Sequence, residues 1–207
     1  MKIFLNYFGQ FRLYTLIDLI VLLIAIQAGI YDFLGVIFLH LGFLVFLETQ
    51  HLHSYRKKMP RWLSVFLIIV GIFLYRHWEV IFFLFLSYLY VKKTKRYFGY
   101  ISPILRGLQY FFLVAGIIGY NNTLIWIVLI VIFIRNFAGD LRDVIKDKNE
   151  NTKTLPILLG FNKDEKYIHL AIMLITTLIW FLFTNLETWL LFPIFILQIL
   201  TYRLTPR

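Results

Sequence analysis

Runs such as LIDLIVLLIA, IFLHLGFLVFL and IWIVLIVIFI recur along the chain, with only short polar segments between them. A hydrocarbon core about 30 Å thick takes about 20 mostly apolar residues per helix, so runs this frequent consume nearly all of the sequence. The 207 residues are 60% hydrophobic and 15% charged, against about one-quarter charged in a soluble domain. The expectation is an all-α, polytopic transmembrane bundle of about eight spans. The spans are placed at 13–30, 33–50, 62–75, 77–91, 103–120, 122–138, 167–184 and 187–202. Nothing in the composition divides the chain, which reads as one integral-membrane domain, 1–207.

The formal charge of +10 follows the same plan. RKKMPR at 56–61, KKTKR at 92–96, the charged stretch after Arg135 and the tail RLTPR alternate with the nearly uncharged YD, GYNN and TNLE and with YRHWE. Lys and Arg are retained in cytoplasmic loops, which places the first set and both termini on the cytoplasmic side of the cytoplasmic membrane, with Arg76 the one exception. Basic residues spread in this way mark topology and membrane lipid, and do not form the single basic stripe of a nucleic-acid binder. Absence of cysteine excludes disulfides and thiolate metal sites. Arg12 interrupts the first apolar run and no small-residue cleavage site follows, so the N-terminus reads as retained.

Acid is concentrated in one place, GDLRDVIKDKNENTKTLPILLG at 139–160. On a continuous helix Asp140, Asp143 and Asp147 fall within about 60° of one another, with Asn136 on their face and Arg135, Arg142 and Lys146 roughly opposite. Three carboxylates on one face repel unless a cation sits among them, and hard oxygen ligands suit Mg²⁺, which keeps waters and bridges to phosphates. Taken alone, the stretch reads more readily as a solvated helix end with ordinary charge alternation.

The pattern Arg135-x₄-Asp140-x₂-Asp143-x₃-Asp147, followed by Lys153-Thr154-Leu155-Pro156 and Gly160, resembles the second aspartate-rich motif of the UbiA superfamily of intramembrane prenyltransferases. FRLYTLIDLIVLLIA resembles the start of that family's first helix, and YLYVKKTKRYFGYISPILRG its Tyr and Lys-Arg loop between the fourth and fifth helices. The resemblance implies a helical bundle, of nine spans in most members and eight here, with a lateral chamber whose polar motifs gather at the cytoplasmic mouth. It implies Mg²⁺-dependent transfer of a prenyl group from a polyprenyl diphosphate to a lipophilic or interfacial acceptor. Asp140, Asp143 and Asp147 would hold the metal, and Lys95, Arg96 and Lys153 are candidates for the diphosphate oxygens or are topology residues. Arg135 matches the motif, as a diphosphate ligand or as a residue that orients an Asp. The aromatic faces of Tyr110, Phe111 and Phe112 are candidates to stabilise a prenyl cation, with plain packing as the alternative.

The family's earlier motif, N-D-x-x-D-x-x-x-D at the end of the second helix, is replaced here by FLETQHLHSYRKKMPRW. Glu48, His51 and Tyr55 repeat its +3, +7 spacing. Glu48 is a candidate metal ligand and His51 a candidate for metal or phosphate, while a tyrosine does not replace a carboxylate charge. The other reading is an eroded site, hence a non-catalytic protein that binds isoprenoid lipid or scaffolds a membrane complex. Asp18 and His40 lie inside spans, where charge is costly and faces a partner or a cavity.

Overall fold

The computed structural model describes residues 11–50, 58–92 and 99–204. They form α1 (Leu13–Ala25), α2 (Ile30–Gln50), α3 (Arg61–Tyr75), α4 (Val80–Lys92), α5 (Ser102–Ile118), α6 (Leu124–Arg142), α7 (Val144–Asn149), α8 (Leu155–Leu158), α9 (Lys166–Phe183) and α10 (Leu191–Leu204). Short 3₁₀ turns at Gly99–Ile101 and Thr188–Leu190 lead into α5 and α10, and the described residues contain no strand. Four segments are long and apolar enough to cross a membrane: α2, α5 with its leading turn, α6 and α9. The other apolar helices, α1, α3, α4 and Thr188–Tyr202, are shorter.

Helix boundaries differ from the hydropathy reading where local chemistry overrides it. The first span stops at Ala25 rather than at residue 30, because Gln27 turns into the left-handed region at φ 53° just before Gly29. The Gly29 carbonyl then accepts the Phe33 N–H at 2.8 Å, opening α2 three residues earlier than expected. The segment GDLR, beyond the expected span end at 138, continues α6 to Arg142. Pro60 before α3 and Pro103 in the first turn of α5 sit where a missing N–H costs no helical hydrogen bond.

The chain divides into two compact units, one from the described residues of 1–76 and 177–207, the other from 77–176; α9 starts in the second and ends in the first. In the first unit α2 and α3 form a close antiparallel hairpin. Small residues let the two backbones approach, as they do between membrane helices. A Cβ on Gly71 would meet the Leu39 backbone nitrogen at 2.9 Å, and the Ser64 hydroxyl donates across the pair to the Gly42 carbonyl at 2.8 Å. Asp18 and His40, the ionisable groups expected inside spans, both have partners. Trp180 Nε1 donates to Asp18 Oδ1 at 3.3 Å, and His40 Nε2 lies 3.3 Å from the Thr15 hydroxyl. Tyr14 meets Tyr202 edge to face, joining α1 to α10. Trp62, Phe66, Ile69 and Phe73 form an exposed apolar stripe along one face of α3, a surface that suits lipid and would be a liability in water.

In the second unit α5 packs against both α4 and α6. Gly107 is the point of closest approach, where a Cβ would come within 2.8 Å of the Leu129 carbonyl oxygen. The C-terminal ends of α4 and α6 and the N-terminal end of α5 therefore lie together, and it is there that the polar residues of the unit collect.

Candidate functional site

α5 carries Ser102, Arg106 and Gln109 at i, i+4 and i+7, one face of a helix that is otherwise apolar. Each finds a partner on a neighbouring helix or on its own. Ser102 Oγ donates to Asp140 Oδ2 at 2.7 Å; Asn136 Nδ2 donates to the same hydroxyl at 3.4 Å; and the Tyr90 hydroxyl donates to Asn136 Oδ1 at 3.0 Å. One turn further from the helix end, the Arg106 guanidinium donates to Gln109 Oε1 at 2.7 Å and to the Tyr110 hydroxyl at 3.2 Å. It also lies over the rings of Tyr110 and Tyr90, 4.8 and 5.9 Å from their centroids. Gln109 Nε2 donates to the Ser87 hydroxyl at 2.7 Å, and Ser87 donates to the Phe83 carbonyl. The result is a buried polar ladder about two helical turns deep, with Asp140, 7% exposed, at its outer rung.

Beyond Asp140 the helix does not continue unbroken. α6 ends at Arg142, Asp143 adopts φ −112°, ψ 21°, and α7 restarts at Val144. The Asp143 N–H bonds back to the Asp140 carbonyl, three residues away, as in a tightened final turn. This corrects the continuous-face expectation for Asp140, Asp143 and Asp147. Arg142, expected on the opposite face, instead grips the Asp143 carboxylate with Nε at 2.9 Å and Nη2 at 2.7 Å. Neighbours in a regular helix do not face each other; the break makes this fork possible. Among the described residues no three His, Asp or Glu side chains gather into a group able to hold a metal ion, so the three aspartates are not a ready-made all-protein metal cage.

Asp147 serves the turn with its backbone. Its N–H donates to the Asp143 carbonyl at 2.9 Å, and its carbonyl accepts the Thr152 N–H at 2.8 Å. The chain thereby doubles back and lays Lys153–Pro156 against the Gly99–Ile101 turn. A Cβ on Gly99 would sit 2.6 Å from the Lys153 carbonyl oxygen, so only glycine permits this contact. The Lys153 side chain is exposed, beside the buried Thr152 and Thr154. Arg135 Nη2 donates to the Met173 carbonyl at 3.3 Å, on α9.

In the first unit Glu48, buried near the end of α2, pairs with Arg12, Nη2 to Oε1 at 3.3 Å. His51, Tyr55, Lys95 and Arg96 lie outside the described residues. The structure thus brings together two of the segments singled out in the sequence, 88–107 and 135–160, through Tyr90, Ser102, Asn136 and Asp140. Of that ladder, sequence reasoning missed Ser87, Tyr90, Ser102, Arg106 and Gln109. The available signal was the i, i+4, i+7 spacing of polar side chains within an apolar run.

Ser102→Ala removes the donor to a buried carboxylate. Hydrogen bonds to charged groups contribute about 1.5–3 kcal/mol, so the variant is expected to unfold at lower temperature by circular dichroism in detergent, with its helical content unchanged before the transition. Comparison with protein-family models, with curated proteins and with solved structures finds no match to this chain.

Proposed function

We propose that the chain is a multi-pass protein of the cytoplasmic membrane, of about eight spans and UbiA-like fold, that transfers a prenyl group from a polyprenyl diphosphate to a lipophilic or interfacial acceptor. The observation that carries this reading is the convergence just described. Two segments chosen for their resemblance to one family, far apart in sequence, meet at one end of one helical unit through the Ser102–Asp140 hydrogen bond of 2.7 Å.

The donor set fits Mg²⁺ of the kind held by one or two carboxylates and completed by water and phosphate oxygens. Asp140 and Asp143 would hold it; three carboxylates are not required and are not gathered here. When bound, Mg²⁺ supplies charge stabilisation to a diphosphate leaving group. The chain's own residues supply orientation. Ser102 fixes the rotamer of Asp140, Asn136 and Tyr90 fix Ser102, and Arg142 holds Asp143 in plane. The exposed Lys153 would meet anionic oxygens, and the Phe, Leu and Ile of the bundle would give a tail with no polar handle a dry environment.

A second reading is favoured by a specific observation: Asp143 and Glu48 are both already paired, with Arg142 and Arg12. A non-catalytic protein that binds isoprenoid lipid or scaffolds a membrane complex needs no open carboxylates. Reconstitution with Mg²⁺, radiolabelled prenyl diphosphates and a panel of quinone-ring, glycerol-phosphate and tetrapyrrole acceptors distinguishes the two. The enzyme reading expects prenylated product with stoichiometric pyrophosphate. No product and no pyrophosphate across the panel would leave the binding reading.

A further inference from the structure

The end of the second unit remote from Asp140, where α4 begins, α5 ends and α6 begins, carries a different chemistry. Six rings meet there in sequence of contact. Trp78 lies 6.5 Å from Tyr120 in a stacked arrangement and 5.4 Å from Phe82; Phe82 stacks on Phe112 at 4.5 Å; and Phe111 touches Phe112, Tyr120 and Trp126. Trp78 and Tyr120 leave much of their faces open, with exposures of 59% and 43%. Next to them Glu79 is 4% exposed, and its Oε2 atom, itself buried, has no hydrogen-bond donor among the described residues. Partial burial, and after it the charge of the nearby Glu79 carboxylate, raise the Tyr120 hydroxyl above the ordinary tyrosine value. A buried acceptor left bare is destabilising, and negative charge at the start of α4 is favoured by the helix dipole.

A lone carboxylate beside open aromatic faces selects among cations. Mg²⁺ and Ca²⁺ require about six or more oxygens and would find one carboxylate. A quaternary ammonium is weakly hydrated, is attracted to the faces of Trp and Tyr, and supplies a counter-charge to Glu79. We propose that Trp78, Glu79 and Tyr120 form a binding site for an organic ammonium group, whether free in solution or carried on a lipid headgroup. The site stands apart from the prenyl-transfer reading and does not depend on it.

The test is equilibrium binding of radiolabelled choline to the full chain in nanodiscs of phosphatidylglycerol alone, at constant ionic strength. Saturable binding is expected, weakened about tenfold or more by Glu79→Gln and about three- to tenfold by Trp78→Leu. Repeating the titration in nanodiscs half phosphatidylcholine separates the two sources. A several-fold weaker apparent affinity there means that the headgroup occupies the site, and an unchanged affinity means that it takes a free ammonium compound. No saturable choline binding by the unmodified chain overturns the proposal, as does unaltered binding by Glu79→Gln with native helical content. Should Glu79→Gln fail to fold, the exposed Trp78 decides: binding unaltered in Trp78→Leu overturns the proposal.

Discussion

Gly35→Val is expected to break the first unit, lowering its stability by about 3 kcal/mol or more. The reason is that the added atoms meet backbone and not a movable side chain. A Cβ at Gly35 would stand 2.7 Å from the Tyr75 nitrogen and 2.9 Å from its Cα, and Tyr75 is fully buried at the end of α3. A side-chain clash can be relieved by a rotamer change; here α2 and α3 must separate, and the contacts that follow from their close approach are lost with them. Gly139→Ala is the matched control, since its Cβ would meet nothing within 4 Å. That change sits inside α6 and is expected to be neutral or stabilising by up to about 1 kcal/mol through helix propensity. Thermal unfolding followed by circular dichroism in detergent should show a large loss for the first variant and none for the second.

Asp140→Asn is expected to abolish most of the proposed prenyl transfer, by about 100- to 1000-fold, while leaving the fold intact. Asparagine retains an oxygen for the Ser102 hydroxyl, so the ladder through Asn136 and Tyr90 keeps its geometry. What is lost is the charge that would hold Mg²⁺ against a diphosphate. The measurement is the initial rate of pyrophosphate release by the reconstituted protein, with helical content and unfolding temperature as controls. A modest rate effect would move Asp140 out of the proposed chemistry and leave it a buried structural acid.

Much of the helical layout was legible in the sequence, because α2, α5, α6 and α9 are apolar runs of membrane length and hydropathy reads such runs directly. Their ends were less legible. Gln27 is unremarkable as a residue type, yet its left-handed turn ends α1, and the polar GDLR remained helical since its buried side found a partner in Ser102. The site was half legible. A helical wheel assumes one axis, so it put Asp140, Asp143 and Asp147 on one face and Arg142 opposite, and the break at Asp143 undid both statements. Composition likewise gave no hint that Arg106 would lie between two tyrosine rings. Its spacing from Ser102 and Gln109 carried that information, in a loop-and-helix segment first noticed for Lys95 and Arg96.

Whether Asp140 and Asp143 hold a metal against a diphosphate is tested by a binding measurement that needs no knowledge of the acceptor. Labelled prenyl diphosphate is titrated onto the purified chain with Mg²⁺ and with a chelator, for the unmodified protein and for Asp140→Asn combined with Asp143→Asn. A metal-holding role for the two aspartates predicts affinity that requires Mg²⁺ and disappears in the double variant. Affinity that is indifferent to Mg²⁺ and unchanged by both substitutions would contradict it.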